Sequence, residues 1–118
     1  MARALWRRWR IASVPHADFV VAGWGSAAAL AYAGENSPRV LAMGTGADAR
    51  LLRALADEHG IPVVENDPCV QVLLDEGWDS EPAPEESWEA LIEVMKDLAQ
   101  EHPELQEKWR VFVEKEEP

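Results

Sequence analysis

Residues Val40 to Leu74, VLAMGTGADARLLRALADEHGIPVVENDPCVQVLL, decide the fold. Val40, Leu41 and Ala42 form a short apolar run that stops at Gly44-Thr45-Gly46, and a helical pattern starts immediately afterwards. Leu51, Leu52, Leu55 and Ala56 share one side of a 3.6-residue helix, with Asp48, Arg50, Arg53, Asp57 and Glu58 on the other. Gly60, free to take a positive φ, ends that helix. Ile61-Pro62-Val63-Val64 is too short and too β-branched for a helix, and a proline is tolerated at the first positions of a strand. Asn66-Asp67-Pro68 then starts another helix, with Asn66 or Asp67 as N-cap and Pro68 in the first turn. The stretch reads as one βαβα unit, and a connection of this length within one sheet implies a parallel crossover.

Around this unit, 118 residues suffice for one domain with a modest core. The composition is 47% hydrophobic, which excludes a disordered chain. No run of about 20 strongly apolar residues is present to span a bilayer. The net charge is -11, and it is uneven: the first ten residues hold four arginines and no acid, so the remainder sets seven basic residues against 22 acidic ones. Such a surface repels nucleic acid. A single cysteine, Cys69, makes no internal disulfide, and the amino terminus lacks the apolar core of a secretory signal. Both point to the cytoplasm.

The amino-terminal MARALWRRWR places Leu5 and Trp9 on one side of a short helical arm and spreads Arg3, Arg7, Arg8 and Arg10 round the rest. It suits an arm lying on its own acidic domain, or a peripheral membrane contact through residues 1–10. Ala17 to Ala22 reads as a buried strand ending at the turn Gly23-Trp24-Gly25. Ser26 to Tyr32 is ambiguous, because its alanines prefer helix while its place between turn signals suits a second strand. Beyond an acidic loop carrying Trp78, Pro84-Glu85-Glu86 opens an amphipathic helix on which Trp88, Leu91, Ile92, Met95, Leu98 and Ala99 share a face. Pro103 interrupts it, and Leu105, Trp109, Phe112 and Val113 line a last short helix.

Candidate chemistry is sparse. The Gly44-Thr45-Gly46 junction presents backbone N–H groups and a helix amino terminus to a small anion or nucleotide phosphate, but Ala49 breaks the six-residue glycine pattern and no P-loop lysine follows. His16, His59 and His102 lie far apart, and no His/Cys/Asp spacing makes a zinc site, so neither metal nor cofactor is expected. Cys69 has no thiol-enzyme surroundings in the sequence. The many glutamates offer no pair set apart by an apolar setting, so acid–base catalysis is not expected. Six tryptophans are more telling, since large aromatics gather in cores and contact surfaces; Trp24 between glycines and Trp78 in its acidic loop are the two expected to be exposed.

Taken together, Val14-Pro15-x-Ala17-Asp18-Phe19-Val20-Val21, Val40-Leu41-Ala42-x-Gly44, Glu58-His59-Gly60 and above all Gly60-Ile61-Pro62-Val63-Val64-Glu65-Asn66-Asp67-Pro68 resemble the cytoplasmic domain of the FlhB/YscU family, the switch proteins of flagellar and virulence type III export machines. Pro84-Glu85-Glu86 is similar to the family's I-P-E-E segment, and the likeness runs from about Arg7 to Ala99. It implies that Ser26 to Tyr32 is a strand, giving an α/β fold with a small mixed sheet of about four strands packed by about four helices. It also implies three regions: a basic linker-like arm over 1–13, the family-like domain over 14–100, and an additional acidic helix and tail over 101–118.

Two departures qualify the likeness. Family members carry Asn-Pro-Thr-His at the turn between the first two strands and cleave themselves after the Asn, whose side-chain amide attacks its own carbonyl. Here the turn is Ala22-Gly23-Trp24-Gly25, with no amide nucleophile. Family members also have an amino-terminal transmembrane domain, whereas this chain begins within the linker. The expectation is a stand-alone, non-cleaving, non-enzymatic domain that binds protein components or substrates of an export apparatus, using Trp24, Asn66, Asp67, Pro68 and Trp78. A homo-oligomer using residues 103–113 is a third alternative, and the sequence leaves the oligomeric state open.

Overall fold

The computed structural model describes residues 14–32, 38–76, 83 and 85–109. The basic arm over 1–13, Trp78, Phe112 and Val113 lie outside them. A 3₁₀ turn at Val14–His16 leads into β1 (Phe19–Gly23) and β2 (Ser26–Ala31), followed by β3 (Arg39–Thr45), α1 (Ala47–Glu58), β4 (Val63–Glu65) and α2 (Asp67–Glu76). A second 3₁₀ turn at Glu85–Ser87 runs into α3 (Trp88–Glu101), and α4 (Pro103–Lys108) follows.

The four strands form one mixed sheet in the order β3-β2-β1-β4. β1 pairs antiparallel with β2, β2 antiparallel with β3, and β1 parallel with β4. The βαβ unit read from the sequence is therefore present with β3 and β4 on opposite edges, the crossover spanning the β1–β2 hairpin. Opposite β2, β3 carries one extra residue: Ala29 faces Ala42 and Leu30 faces Val40, which leaves Leu41 as a bulge.

Both faces of the sheet are buried, and the strict alternation of side chains sorts them. Phe19, Val21, Ala28 and Leu30 point to one side, where Val70 and Leu73 of α2 and Leu91, Met95 and Leu98 of α3 complete the main core. Val20, Ala22, Ala27, Ala29 and Ala42 point to the other, against Ala49, Leu52 and Ala56 of α1 and Val14. That second face is almost entirely alanine. Small side chains on both partners let α1 lie close to the sheet, and this packing holds Ser26 to Ala31 as a strand against the helical preference of its alanines.

The line of α1 that turns inward is Ala49, Leu52 and Ala56, with Leu55 half-buried. Leu51, expected on the buried side, is 49% exposed. The inward line lies at i, i+3 and i+7, and Leu51 falls one residue to its side.

The segment following α3 is part of the core. Trp109 is fully buried and packs edge-on against Phe19, with ring centroids 5.4 Å apart and planes at 68°. A tryptophan so enclosed is not itself exposed to hold a second copy.

Candidate functional site

Three loops meet at one end of the sheet, and they are the three the sequence singles out. At the β1–β2 connection, Gly23 faces Ser26 across a two-residue turn. Trp24 and Gly25 occupy it with φ of 52° and 74°. Two successive positive φ values are what a type I′ hairpin turn requires, and asparagine or glycine normally supplies both. Gly25 meets this without strain. Trp24 does not: a bulky residue in the left-handed region carries a cost of about 1 kcal/mol or more. It is also 69% exposed, so no burial offsets that cost.

The β3–α1 junction is tied to this turn. Gly46 N–H donates to the Gly25 carbonyl at 2.9 Å. The third loop is tied to β1, since Asn66 N–H donates to the Ala22 carbonyl at 2.9 Å. Asn66 is the N-cap of α2, its Oδ1 accepting from Cys69 N–H at 3.1 Å while its carbonyl takes the Val70 N–H. Asp67, in the first turn of α2, lies directly against Gly23. A Cβ at Gly23 would fall 2.8 Å from Asp67 Cα and nearer still to its carboxylate Oδ1, so this close approach needs a glycine. Pro68 stands exposed beside it.

Trp24, Gly25, Thr45, Gly46 and Pro68 thus form the exposed rim of one surface, with Ala22, Gly23 and Gly44 buried beneath. Sequence reasoning found each loop separately; that they adjoin depends on the strand order.

The junction at Gly44-Thr45-Gly46 is poorly suited to an anion. The Gly46 N–H is engaged by Gly25, and Asp48 puts a carboxylate into the first turn of α1. Its Cβ would lie 2.6 Å from one added at Gly44, so the acid sits directly over the junction. Among the described residues no group of His, Cys, Asp and Glu is arranged to hold a metal ion. No described helix is long and apolar enough to cross a membrane.

Cys69 is buried under the same end of the sheet, and burial pushes its thiol up from 9.0 to about 12. The folded state therefore keeps its proton in a pH range where the unfolded chain loses it. This contribution to stability is complete below pH 9.0 and declines as the pH rises towards about 12. At pH 8 a chromogenic disulfide reagent should react with Cys69 only slowly in the folded protein and within seconds in urea. Equal rates in both conditions would contradict its enclosure.

The sequence matches the FlhB HrpN YscU SpaS family over residues 1–98. The chain belongs to that family. Among solved structures, the FlhB cytoplasmic domain from Shewanella putrefaciens is 28% identical, with a TM-score of 0.61 over 67% of this chain and 63% of that one. An asparagine-to-aspartate variant of the EscU C-terminal domain is 20% identical, with a TM-score of 0.65 over 80% of this chain and 89% of the other. A proline-to-alanine variant of the same domain is 22% identical, with a TM-score of 0.63 over 71% and 86%. These likenesses establish the fold of an FlhB/YscU-type domain. A comparison with curated protein sequences finds no match. In this chain the β1–β2 connection is a two-residue hairpin turn whose Gly23 packs on Asp67.

Proposed function

We infer that this chain is a cleavage-incompetent FlhB-like domain of a type III, flagellar or related, export system, working by protein contact and without catalysis. The reading is supported above all by Trp24, a large aromatic held at a strained φ and 69% exposed. A residue that costs stability where it stands and is not buried has its use outside the domain, and tryptophan is the side chain most often found at the energetic centre of protein interfaces. Asp67 packs on the neighbouring Gly23, with exposed Pro68 next to it in the chain and Asn66 fixing both through its cap. Trp78, the fifth residue expected to bind a partner, lies outside the described residues.

Self-cleavage of the family type needs a side-chain amide beside its own carbonyl, and Gly23, Trp24 and Gly25 supply none. The nearest amide along the three loops, Asn66, is committed to capping α2. The partner class follows from the family: components or substrates of an export apparatus.

The test is Trp24→Asn. Asparagine suits the type I′ position, so the variant should gain about 1 kcal/mol in urea unfolding. At the same time it should lose the capture of export-apparatus proteins that is expected of the native chain in a host extract. A variant that is less stable, or that captures those proteins as well as the native chain, would remove Trp24 from the interface.

A further inference from the structure

Among the described residues the large apolar side chains that stay exposed are Trp24 and Leu51, and Trp24 already has its place on the surface at the end of the sheet. Leu51 has none. It shares one flank of α1 with Leu55, which is half-buried, and with Glu58, at i, i+4 and i+7. Leu41, in the β3 bulge, is half-buried on the same side of the sheet. Both arginines of α1, Arg50 and Arg53, stand on the opposite flank, where Arg53 pairs with Glu65 of β4 at 2.8 Å. The last turn of α1 carries Asp57 and Glu58 and no base. Two carboxylates thus stand at the negative end of the helix dipole, an arrangement that cations relieve.

The chain itself supplies a segment of the complementary kind. Residues 1–13, outside the described residues, hold Leu5, Trp6 and Trp9 with four arginines and no acid, against seven basic and 22 acidic residues in the remainder. They join the fold at Val14, which is fully buried in the same cluster as Leu52 and Ala56 and whose 3₁₀ turn lies against α1. The arm therefore meets the fold at this helix. Trp9 lies five residues before Val14, a span of up to about 17 Å, and the 12 residues of α1 measure about 18 Å. That reach covers the leucine flank.

We propose that residues 1–13 dock on α1 of their own chain, with the apolar side chains of the arm on Leu51 and Leu55 and its arginines at the acidic last turn. Burial of leucine and indole surface supplies the attraction, and opposite charge sets the position. A docked arm withholds its tryptophans and arginines from an anionic membrane surface, the other use to which such a segment is put. The proposal is independent of any contact made through Trp24.

Paramagnetic broadening of amide signals, read by NMR on the full chain, tests this. Cys69 is buried and slow to react, so a nitroxide attached at Ala4→Cys marks the arm alone. The amides of Leu51, Leu55 and Glu58 should be broadened severalfold more than that of Val94, which belongs to the core on the far side of the sheet. Leu51→Glu should remove the difference, and because Leu51 is half-exposed this variant keeps the fold. Equal broadening at the two sites, or a pattern unaltered by Leu51→Glu, would overturn the proposal. So would broadening of α1 in isotope-enriched native chains mixed with spin-labelled ones, which would make the occupant a second copy.

Discussion

Trp109→Ala should lower the stability of the domain by about 3 kcal/mol, near the lower bound for deleting a buried tryptophan. The loss comprises the apolar area of the indole and its edge-on contact with Phe19. It is not larger, because removing a buried N–H that has no acceptor among the described residues relieves a penalty. Urea unfolding followed by the remaining tryptophans measures it. A loss below about 1 kcal/mol would place Trp109 outside the core, against its complete burial.

Gly23→Asn should cost about 3 kcal/mol and confer no reaction. The variant supplies the amide that the turn lacks, so by residue type alone it is the most direct route to a cleaving chain. The geometry opposes it. The new Cβ would sit 2.8 Å from Asp67 Cα, a backbone atom that yields only if the start of α2 moves. Asn66, which fixes that start, is bonded to both Ala22 and Cys69, so displacing α2 also strains the β1–β4 pairing. The turn packs on α2 through a glycine, so one substitution is not expected to create a cleaving site.

These two expectations show what the sequence discloses and what it withholds. The unit from Val40 to Leu74 was legible because its signals are local: Gly60 takes φ 68° after α1, and Asn66 caps α2. The amphipathic face of α3 was legible for the same reason, with Leu91, Ile92, Met95 and Leu98 all turned inward. Ser26 to Ala31 was not, because local preference and structure disagree there. Alanine favours helix on its own and becomes strand only because α1 requires a flat, small-residue surface on which to lie. The family resemblance resolved it where periodicity did not.

Leu51 was misplaced, and the packing partner of Trp109 was not readable. Leu51 sits beside the inward line of α1 and is exposed. Trp109 follows a short, charged helix with no buried residue of its own, and nothing within its neighbourhood in the sequence indicates that Phe19, 90 residues earlier, receives it. The candidate surface was legible in its parts only. Gly23-Trp24-Gly25, Gly44-Thr45-Gly46 and Asn66-Asp67-Pro68 were each marked by turn chemistry, but the strand order and the bonds from Gly46 to Gly25 and from Asn66 to Ala22 join them. The same bonds argue against the anion site that the second triplet suggested.

At the centre stands the proposal that this FlhB/YscU-type domain makes no cleavage at its β1–β2 turn, where Trp24 is exposed. Intact-mass spectrometry of the purified native chain and of Gly23→Asn, held for days at neutral pH, tests this most directly. The account predicts a single species for each, the native one at 13.2 kDa. A pair of fragments divided between Ala22 and Trp24 in either sample would contradict it.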